Sequence, residues 1–229
     1  MYNGHMVKGY DVTKYDRPSL AVDVLLFTID SDHLKILLVR RKDEPFKDSW
    51  SLPGGFVKMN ESLDEAAVRE LEEESGVKNV YLEQLYTFGS PKRDPRTRVI
   101  SVTYMALVTK SHWSLRASGD VYQAEFFPIA DLPKLAFDHQ DIFLYGLERL
   151  RSKLGYTNIS FGLLPDHFTL TDLQNVYEVI LNKSLDKRNF RKKMLSIDLL
   201  LPVGVKSSGG AHRPAELYRF KKKEIVYTD

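Results

Sequence analysis

The stretch from Gly55 to Val77 constrains this chain more than any other. Gly55 is followed by Glu61, and Glu61 by the run Arg69-Glu-Leu-Glu-Glu-Glu-Ser-Gly-Val. Leu63, Ala66, Ala67 and Leu71 recur at helical spacing between Glu61 and Ser75, and Gly76 is a stop signal. On such a helix Glu70, Glu73 and Glu74 fall within one arc of roughly 100°. Leu63, Ala67 and Leu71 are expected to anchor the other side in the core. Like charges crowded together are costly unless a cation neutralises them. Magnesium fits, as a hard cation that takes oxygen ligands and completes its shell with water and phosphate; manganese is the runner-up. Arg69 can pair with one glutamate and fix its rotamer. Pro53-Gly54-Gly55 breaks the chain just before, and the glycines let backbone approach the metal where a side chain would block it. Glu65 and Glu72 make the helix acidic all round, so three glutamates alone would read as a solvated face.

The complete set of positions separates the two readings. Gly55, Glu61, Arg69, Glu70, Leu71, Glu73, Glu74, Gly76 and Val77 stand where the Nudix box has its fixed residues, and Trp50-Ser-Leu-Pro-Gly-Gly-Phe resembles its usual lead-in. The resemblance covers residues 18–150. It implies an α/β/α sandwich with a mixed sheet, and hydrolysis of a nucleoside diphosphate linked to another moiety by metal-activated water. It further implies that Glu70, Glu73 and Glu74 hold the metal with the Gly55 carbonyl, while Glu61 and Arg69 hold the box together as catalytic-site residues. It leaves the general base unidentified.

Around the box the chain reads as short strands. Residues 19–29 (SLAVDVLLFTI) and 34–41 (LKILLVRR) flank the turn-prone Asp30-Ser-Asp-His and read as a hairpin. Strand-like runs follow at 80–88, 99–109 and 122–128, and Phe137-Asp138-His139 opens a second amphipathic helix to about Leu154. Between two of these strands, Ser90-Pro-Lys-Arg-Asp-Pro-Arg-Thr-Arg98 gathers cations. Arg93, Arg96 and Arg98 are the candidates to bind a pyrophosphate or a terminal ribose; an exposed hairpin connection is the plain alternative. The proline that often follows the box in ADP-ribose hydrolases is not met, since Pro91 and Pro95 fall on either side of its place. ADP-ribose is still favoured.

Charge divides the chain. Residues 1–150 hold 19 Lys+Arg against 23 Asp+Glu, and residues 151–229 hold 14 against 8. That change of sign suggests an acidic module, 15–154, followed by one, 155–229, that prefers a polyanion. Residues 155–166 (GYTNISFGLLPD) read as a linker or an irregular crossover. Next comes Phe168-Thr-Leu-Thr-Asp-Leu-Gln, a helix with Thr169 as N-cap and Asp172 three residues on. After a short turn Asp186 caps a second helix over 187–197, where Phe190, Met194 and Ile197 form an apolar stripe. Lys187, Arg188, Asn189, Arg191 and Lys192 fan over the rest. An anchored basic helix after a helix and turn is a helix-turn-helix signature. Strands at 199–206 and 215–220, joined through Gly209-Gly210, read as a wing that would set Arg213 on a phosphate backbone.

In that order these segments resemble the winged-helix domain of Nudix-related transcriptional regulators of the NrtR type, and the fold class expected is α+β. The resemblance implies a homodimer that binds a double-stranded DNA operator and senses an ADP-ribose-like nucleotide. The box carboxylates are all kept, so this chain is expected to hydrolyse the ligand it senses. A hydrolase with a non-regulatory tail and a pentose-responsive repressor with a dormant box are the alternatives. There is no cysteine, which excludes disulfides, thiolate catalysis and Cys-type zinc sites. No apolar run approaches the roughly 18 residues that span a bilayer, and the first residues do not resemble a signal peptide. A cytoplasmic protein without a membrane partner is the default expectation.

Overall fold

The computed structural model describes residue 11, residues 14–110, residue 115, residues 121–207 and residues 214–228. β1 (Ser19–Asp30) and β2 (His33–Arg41) form the expected antiparallel hairpin. Ser31 and Asp32 turn it with φ of 53° and 60°, the left-handed backbone a two-residue hairpin loop requires. β3 (Trp50–Ser51), β4 (Gly54–Phe56), β5 (Tyr81–Phe88), β6 (Val99–Leu107) and β7 (Val121–Pro128) complete a seven-stranded sheet. β1 runs parallel to β6 but antiparallel to β2 and β4, so the sheet is mixed as expected. The first part of β1 pairs with β4 (Ala21 opposite Phe56, Asp23 opposite Gly54), and its last part pairs with β2 from Phe27 onward.

Alternation along β1 makes the two faces. Val22, Val24 and Leu26 join Ala66, Ala67 and Leu71 of α1 (Leu63–Ser75) on one side. Leu25 and Phe27 join Ile142 and Leu150 of α2 (His139–Lys153) on the other. The sandwich is therefore α/β/α. Ser62 caps α1 and forms a capping box with Glu65, so the helix begins after Glu61 rather than at it. Replacing Ser62 by alanine removes that acceptor and is expected to cost about 1 kcal/mol. Urea unfolding followed by circular dichroism reads the difference, and an unchanged midpoint would show that the cap contributes nothing.

One expectation fails on α1. Its buried residues are Ala66, Ala67, Leu71, Glu74 and Ser75. Ala67, Leu71 and Glu74 follow the i, i+4, i+7 ladder of a single face, so Glu74 lies with the apolar anchors and not opposite them.

The second half is built on α3 (Leu170–Leu181), α4 (Lys187–Ser196), β8 (Leu200–Lys206) and β9 (Glu216–Phe220), the strands pairing antiparallel. Thr169 caps α3 and forms the reciprocal box with Asp172. Residues 155–166 make a packed crossover, with a 3-10 turn at Ile159–Leu163. The chain's last strand-like segment returns onto it. Asn158 donates to the Glu224 carbonyl at 3.0 Å and accepts from the Val226 N–H at 2.8 Å. Leu150, Leu154, Ile159, Phe168, Ile180, Phe190 and Met194 belong to one apolar cluster. The α2 side of the sandwich and the C-terminal helices thus share a core.

Candidate functional site

Where β1 changes partners, a cavity of about 400 Å³ opens between the 52–56 turn, α1, the 93–96 loop and the start of α2. Glu70, Glu73 and Glu74 all line it. Arg69 sits among them and takes more partners than the single one expected. Its Nη1 donates to Glu70 at 2.7 Å and to Glu73 at 3.1 Å; Nε and Nη2 donate to the two oxygens of Glu61 at 2.8 and 2.6 Å. The paired donors hold the Glu61 carboxyl down at about 2. Burial pushes the Glu70 carboxyl up, against the pull of Arg69. Glu74 is buried and accepts a 2.9 Å hydrogen bond from the Gly54 N–H.

Among the described residues, no three Asp, Glu or His side chains are gathered as they would be around an ion. The hydrogen bonds give the reason. Arg69 draws Glu70 and Glu73 to itself, and the Gly54 amide draws Glu74 to the turn. The donors nonetheless suit a hard divalent cation, because all are carboxylate or carbonyl oxygens. A Cβ at Gly55 would lie 2.3 Å from a Glu70 oxygen. The turn is therefore pressed against that carboxyl with only backbone beside it, a cradle that a side chain would fill.

The arginines expected on the ligand separate into three situations. Arg93 lines the cavity, but its side chain is only 4% exposed. It donates to both oxygens of Asp138 at 2.9 and 2.8 Å and to Asp23 at 3.2 Å. That pairing makes its burial tolerable and ties the loop to β1 and to the start of α2. Arg96 also lines the cavity, held by both oxygens of Asp94 at 3.1 and 2.7 Å. Its guanidinium lies 5.3 Å from the Phe56 ring centroid and 5.7 Å from that of Phe137. Arg98 stands outside the lining and donates to the Ser90 and Val99 carbonyls at 3.3 and 3.2 Å.

Asp23, His139 and Arg41 are three of the lining residues that the sequence does not mark as part of a site. Asp23 is buried, accepts from the Ser101 hydroxyl at 2.5 Å and from Arg93, and faces His139 Nε2 at 3.5 Å. His139 accepts the Leu52 N–H on Nδ1 at 2.9 Å, and burial pushes its pKa down. The ring is accordingly neutral, with its proton on Nε2 toward Asp23. Arg41, at the end of β2, is the third. A lone carboxylate inside the apolar run SLAVDVLLF was the signal for Asp23; a charged residue survives in such a strand only when it has partners.

The C-terminal module places a second set of residues. Glu178 on α3 accepts from the Leu185 N–H at 2.7 Å and from the Gln174 amide at 3.0 Å, and that amide also donates to the Leu185 carbonyl at 2.9 Å. These bonds fix the turn between the helices. Asp186 caps α4 by accepting the Asn189 N–H at 2.8 Å. Phe190 and Met194 are buried, with Phe190 edge-on to Tyr177 at 5.2 Å. Lys187, Arg188, Asn189, Arg191 and Lys192 are all exposed. Among the described residues, none of the four cations has a carboxylate within ion-pair distance. Tyr218 of β9 exchanges backbone bonds with Phe168 at 3.0 and 2.8 Å, which seats the wing against α3. Arg213 and Gly209-Gly210, expected at the wing tip, lie outside the described residues.

Comparison with known proteins matches both halves. Residues 18–145 match the family model "NUDIX domain", and residues 160–220 match "NrtR DNA-binding winged helix domain". The ADPR responsive transcriptional repressor NtrR of Acinetobacter baylyi is 37% identical over 222 residues, 95% of this chain and 88% of that protein. The ADP-ribose pyrophosphatase of Methanocaldococcus jannaschii is 43% identical over 144 residues, 62% of this chain and 82% of that protein. Shewanella oneidensis NrtR, solved as a complex with a 27mer DNA, superposes with a TM-score of 0.79 at 38% identity, covering 88% of this chain and 93% of that one. Its NUDIX domain, solved with ADP ribose, has a TM-score of 0.57 at 38% identity over 62% of this chain and 94% of that one.

Proposed function

The chain belongs to the NrtR-type regulators of the Nudix family, and from that premise we propose that it binds ADP-ribose in the cavity of residues 15–154 and double-stranded DNA through residues 155–229. One observation carries the reading: a cavity lined by the intact box and an exposed basic helix, without a carboxylate partner among the described residues, occur in one polypeptide whose α2 side shares a core with the C-terminal helices. Lys187, Arg188, Arg191 and Lys192 are the phosphate-facing cations of α4, and Asn189 is the residue suited to a base edge. Two copies on a pseudo-palindromic operator is the assembly such a helix suits, since half-sites one turn apart mirror a two-fold. Among the described residues, no helix is long and apolar enough to cross a membrane; we place the protein in the cytoplasm with its DNA.

Ligand hydrolysis is part of the proposal, and the retained carboxylates support it. Magnesium, or manganese in its place, when held by Glu70, Glu73, Glu74 and the Gly55 carbonyl, supplies Lewis-acid charge and an activated water. Arg69 and Glu61 position Glu70 and Glu73. Asp23, Arg93 and Asp138 fix the cavity wall. A regulator that destroys its own effector shortens its own signal.

Electrophoretic mobility shift of the full chain on the DNA upstream of its own gene tests the reading. A retarded band at moderate salt is expected, and its intensity should change on adding ADP-ribose in EDTA. No retardation at any protein concentration up to about 10 µM, already within the range of typical non-specific binding, would reject the DNA-binding half. Retardation indifferent to ADP-ribose would reject the sensing half.

A further inference from the structure

We infer that Arg41, backed by the Phe137 ring and neighboured by Arg96, is the cation that anchors the diphosphate of the bound nucleotide. The inference rests on the cavity being the ADP-ribose site and assigns within it a residue that the cationic 90–98 loop does not contain.

The argument begins with partners. Four arginines line the cavity: Arg41, Arg69, Arg93 and Arg96. Three are already neutralised, Arg69 by Glu61, Glu70 and Glu73, Arg93 by Asp23 and Asp138, and Arg96 by Asp94. The lysine in the lining, Lys58, lies 3.9 Å from Glu73. Arg41 differs. Its Nε donates to the Pro45 carbonyl at 3.0 Å and its Nη2 to the Asp43 carbonyl at 3.4 Å. Both acceptors are uncharged. Among the described residues, no carboxylate lies within ion-pair distance of it.

Its surroundings make that lack costly. Arg41 is half-buried, and its guanidinium carbon lies 4.9 Å from the Phe137 ring centroid. Arg96 lies 5.7 Å from the same ring, so two cations share one aromatic platform. Burial, and after it the charge of Arg96, pulls the Arg41 pKa down. Glu74, Asp43 and Asp94 offset this only from beyond ion-pair distance, so a cation held in a cleft beside a like charge lacks a directly bonded anion. Its remaining N–H groups, from a fork of five, are the geometry that grips a phosphate by two oxygens. Phe137 itself is held in the left-handed region, at φ 53°, a conformation that persists where surrounding structure enforces it and that clusters at ligand sites.

A rival role is plain from the same bonds: Arg41 could merely hold the 42–49 loop. Arg40 separates the two roles. Its side chain bonds the same loop at Asp48, 3.2 Å from the carbonyl, yet it does not line the cavity. The experiment is calorimetric titration of the full chain with ADP-ribose in EDTA, where metal is absent and nothing is hydrolysed. Arg41→Gln is expected to weaken binding by about thirtyfold or more. Arg41→Lys, which keeps charge and loses the fork, should fall between the two. Arg40→Gln should stay within about twofold, the ±0.5 kcal/mol of a surface change. Wild-type affinity in either Arg41 variant, or an equal loss in Arg40→Gln and Arg41→Gln, overturns the anchor. If Arg41→Gln does not fold, the Arg41→Lys result decides. Failure of the unaltered protein to bind ADP-ribose overturns the functional reading on which the anchor depends, a distinct outcome.

Discussion

Replacing Glu73 and Glu74 together by glutamine is expected to lower magnesium-dependent turnover of ADP-ribose by about a thousandfold while leaving the fold intact. A bound divalent ion contributes several kcal/mol to stabilising the reacting phosphate oxygens, and about 4 kcal/mol corresponds to a factor of a thousand in rate. Glutamine matches glutamate in volume and keeps an acceptor. The Gly54 N–H that now reaches Glu74 at 2.9 Å retains a carbonyl partner, and the buried position is not emptied. Glu73 is half exposed, with 52% of its side chain accessible, so its loss of charge leaves nothing buried and unpaired. Release of AMP, followed by chromatography with and without magnesium, reads turnover. Loss of activity accompanied by loss of the thermal transition would indict folding; turnover within tenfold of wild type would show that these carboxylates do not serve hydrolysis. The same variant separates two functions. If sensing depends on binding and not on cleavage, ADP-ribose still alters its mobility shift, and the response outlasts that of the wild type when magnesium is present.

The box could be read before any fold because all nine of its fixed positions match the Nudix pattern, among them a glycine where backbone must come close. Gly55 against Glu70 shows that close approach in place. The winged-helix half was legible for a different reason, since Thr169, Asp172 and Asp186 are local caps whose partners lie three residues away. What the sequence concealed is non-local. β3 and β4 are two and three residues long; pairing with β2 and β1 makes them strands, whereas Pro53-Gly54-Gly55, which runs into β4, suggests a turn alone. Arg93 and Arg98 look alike in sequence. Arg93 is consumed by Asp23, 70 residues away, and by Asp138, 45 residues away, whereas Arg98 bonds the nearby Ser90 and Val99 carbonyls. Arg41 escaped because the lack of an ion-paired carboxylate among the described residues is visible only once its neighbours are placed. Glu74 lines the cavity with Glu70 and Glu73 and is also buried on the face of Ala67 and Leu71, because the arc of the three carboxylates straddles the boundary between core and cavity.

Removing four of the five cations of α4 is expected to abolish DNA binding at moderate salt without disturbing the cavity. In the protein with Lys187, Arg188, Arg191 and Lys192 replaced by glutamine, the apolar anchors Phe190 and Met194 remain. The Asp186 cap is made to the Asn189 backbone and is unaffected. Glutamine is nearly as good a helix former as lysine or arginine. The fold is therefore kept while four charges without a carboxylate partner among the described residues are removed. If each meets one phosphate, the slope of log affinity against log salt becomes shallower by about 3.6, and affinity at 0.1 M salt drops by roughly three to four powers of ten. Fluorescence anisotropy of labelled operator DNA across 0.05–0.3 M salt measures both quantities, about the range over which such contacts are normally resolved. The two must move together. A loss of affinity with an unchanged slope would mean that α4 acts through shape or base contacts and not through phosphate, and an unchanged affinity would move the DNA contact off this helix altogether. ADP-ribose turnover by the same protein should match wild type, because the lining of the cavity includes no residue of α4. A parallel fall in turnover would show instead that the shared core of Ile142, Leu150, Ile180 and Phe190 carries disturbance from the helix back to the site. That outcome would make the sandwich and the winged helix one cooperative unit, and the charge removal a test of coupling as much as of contact.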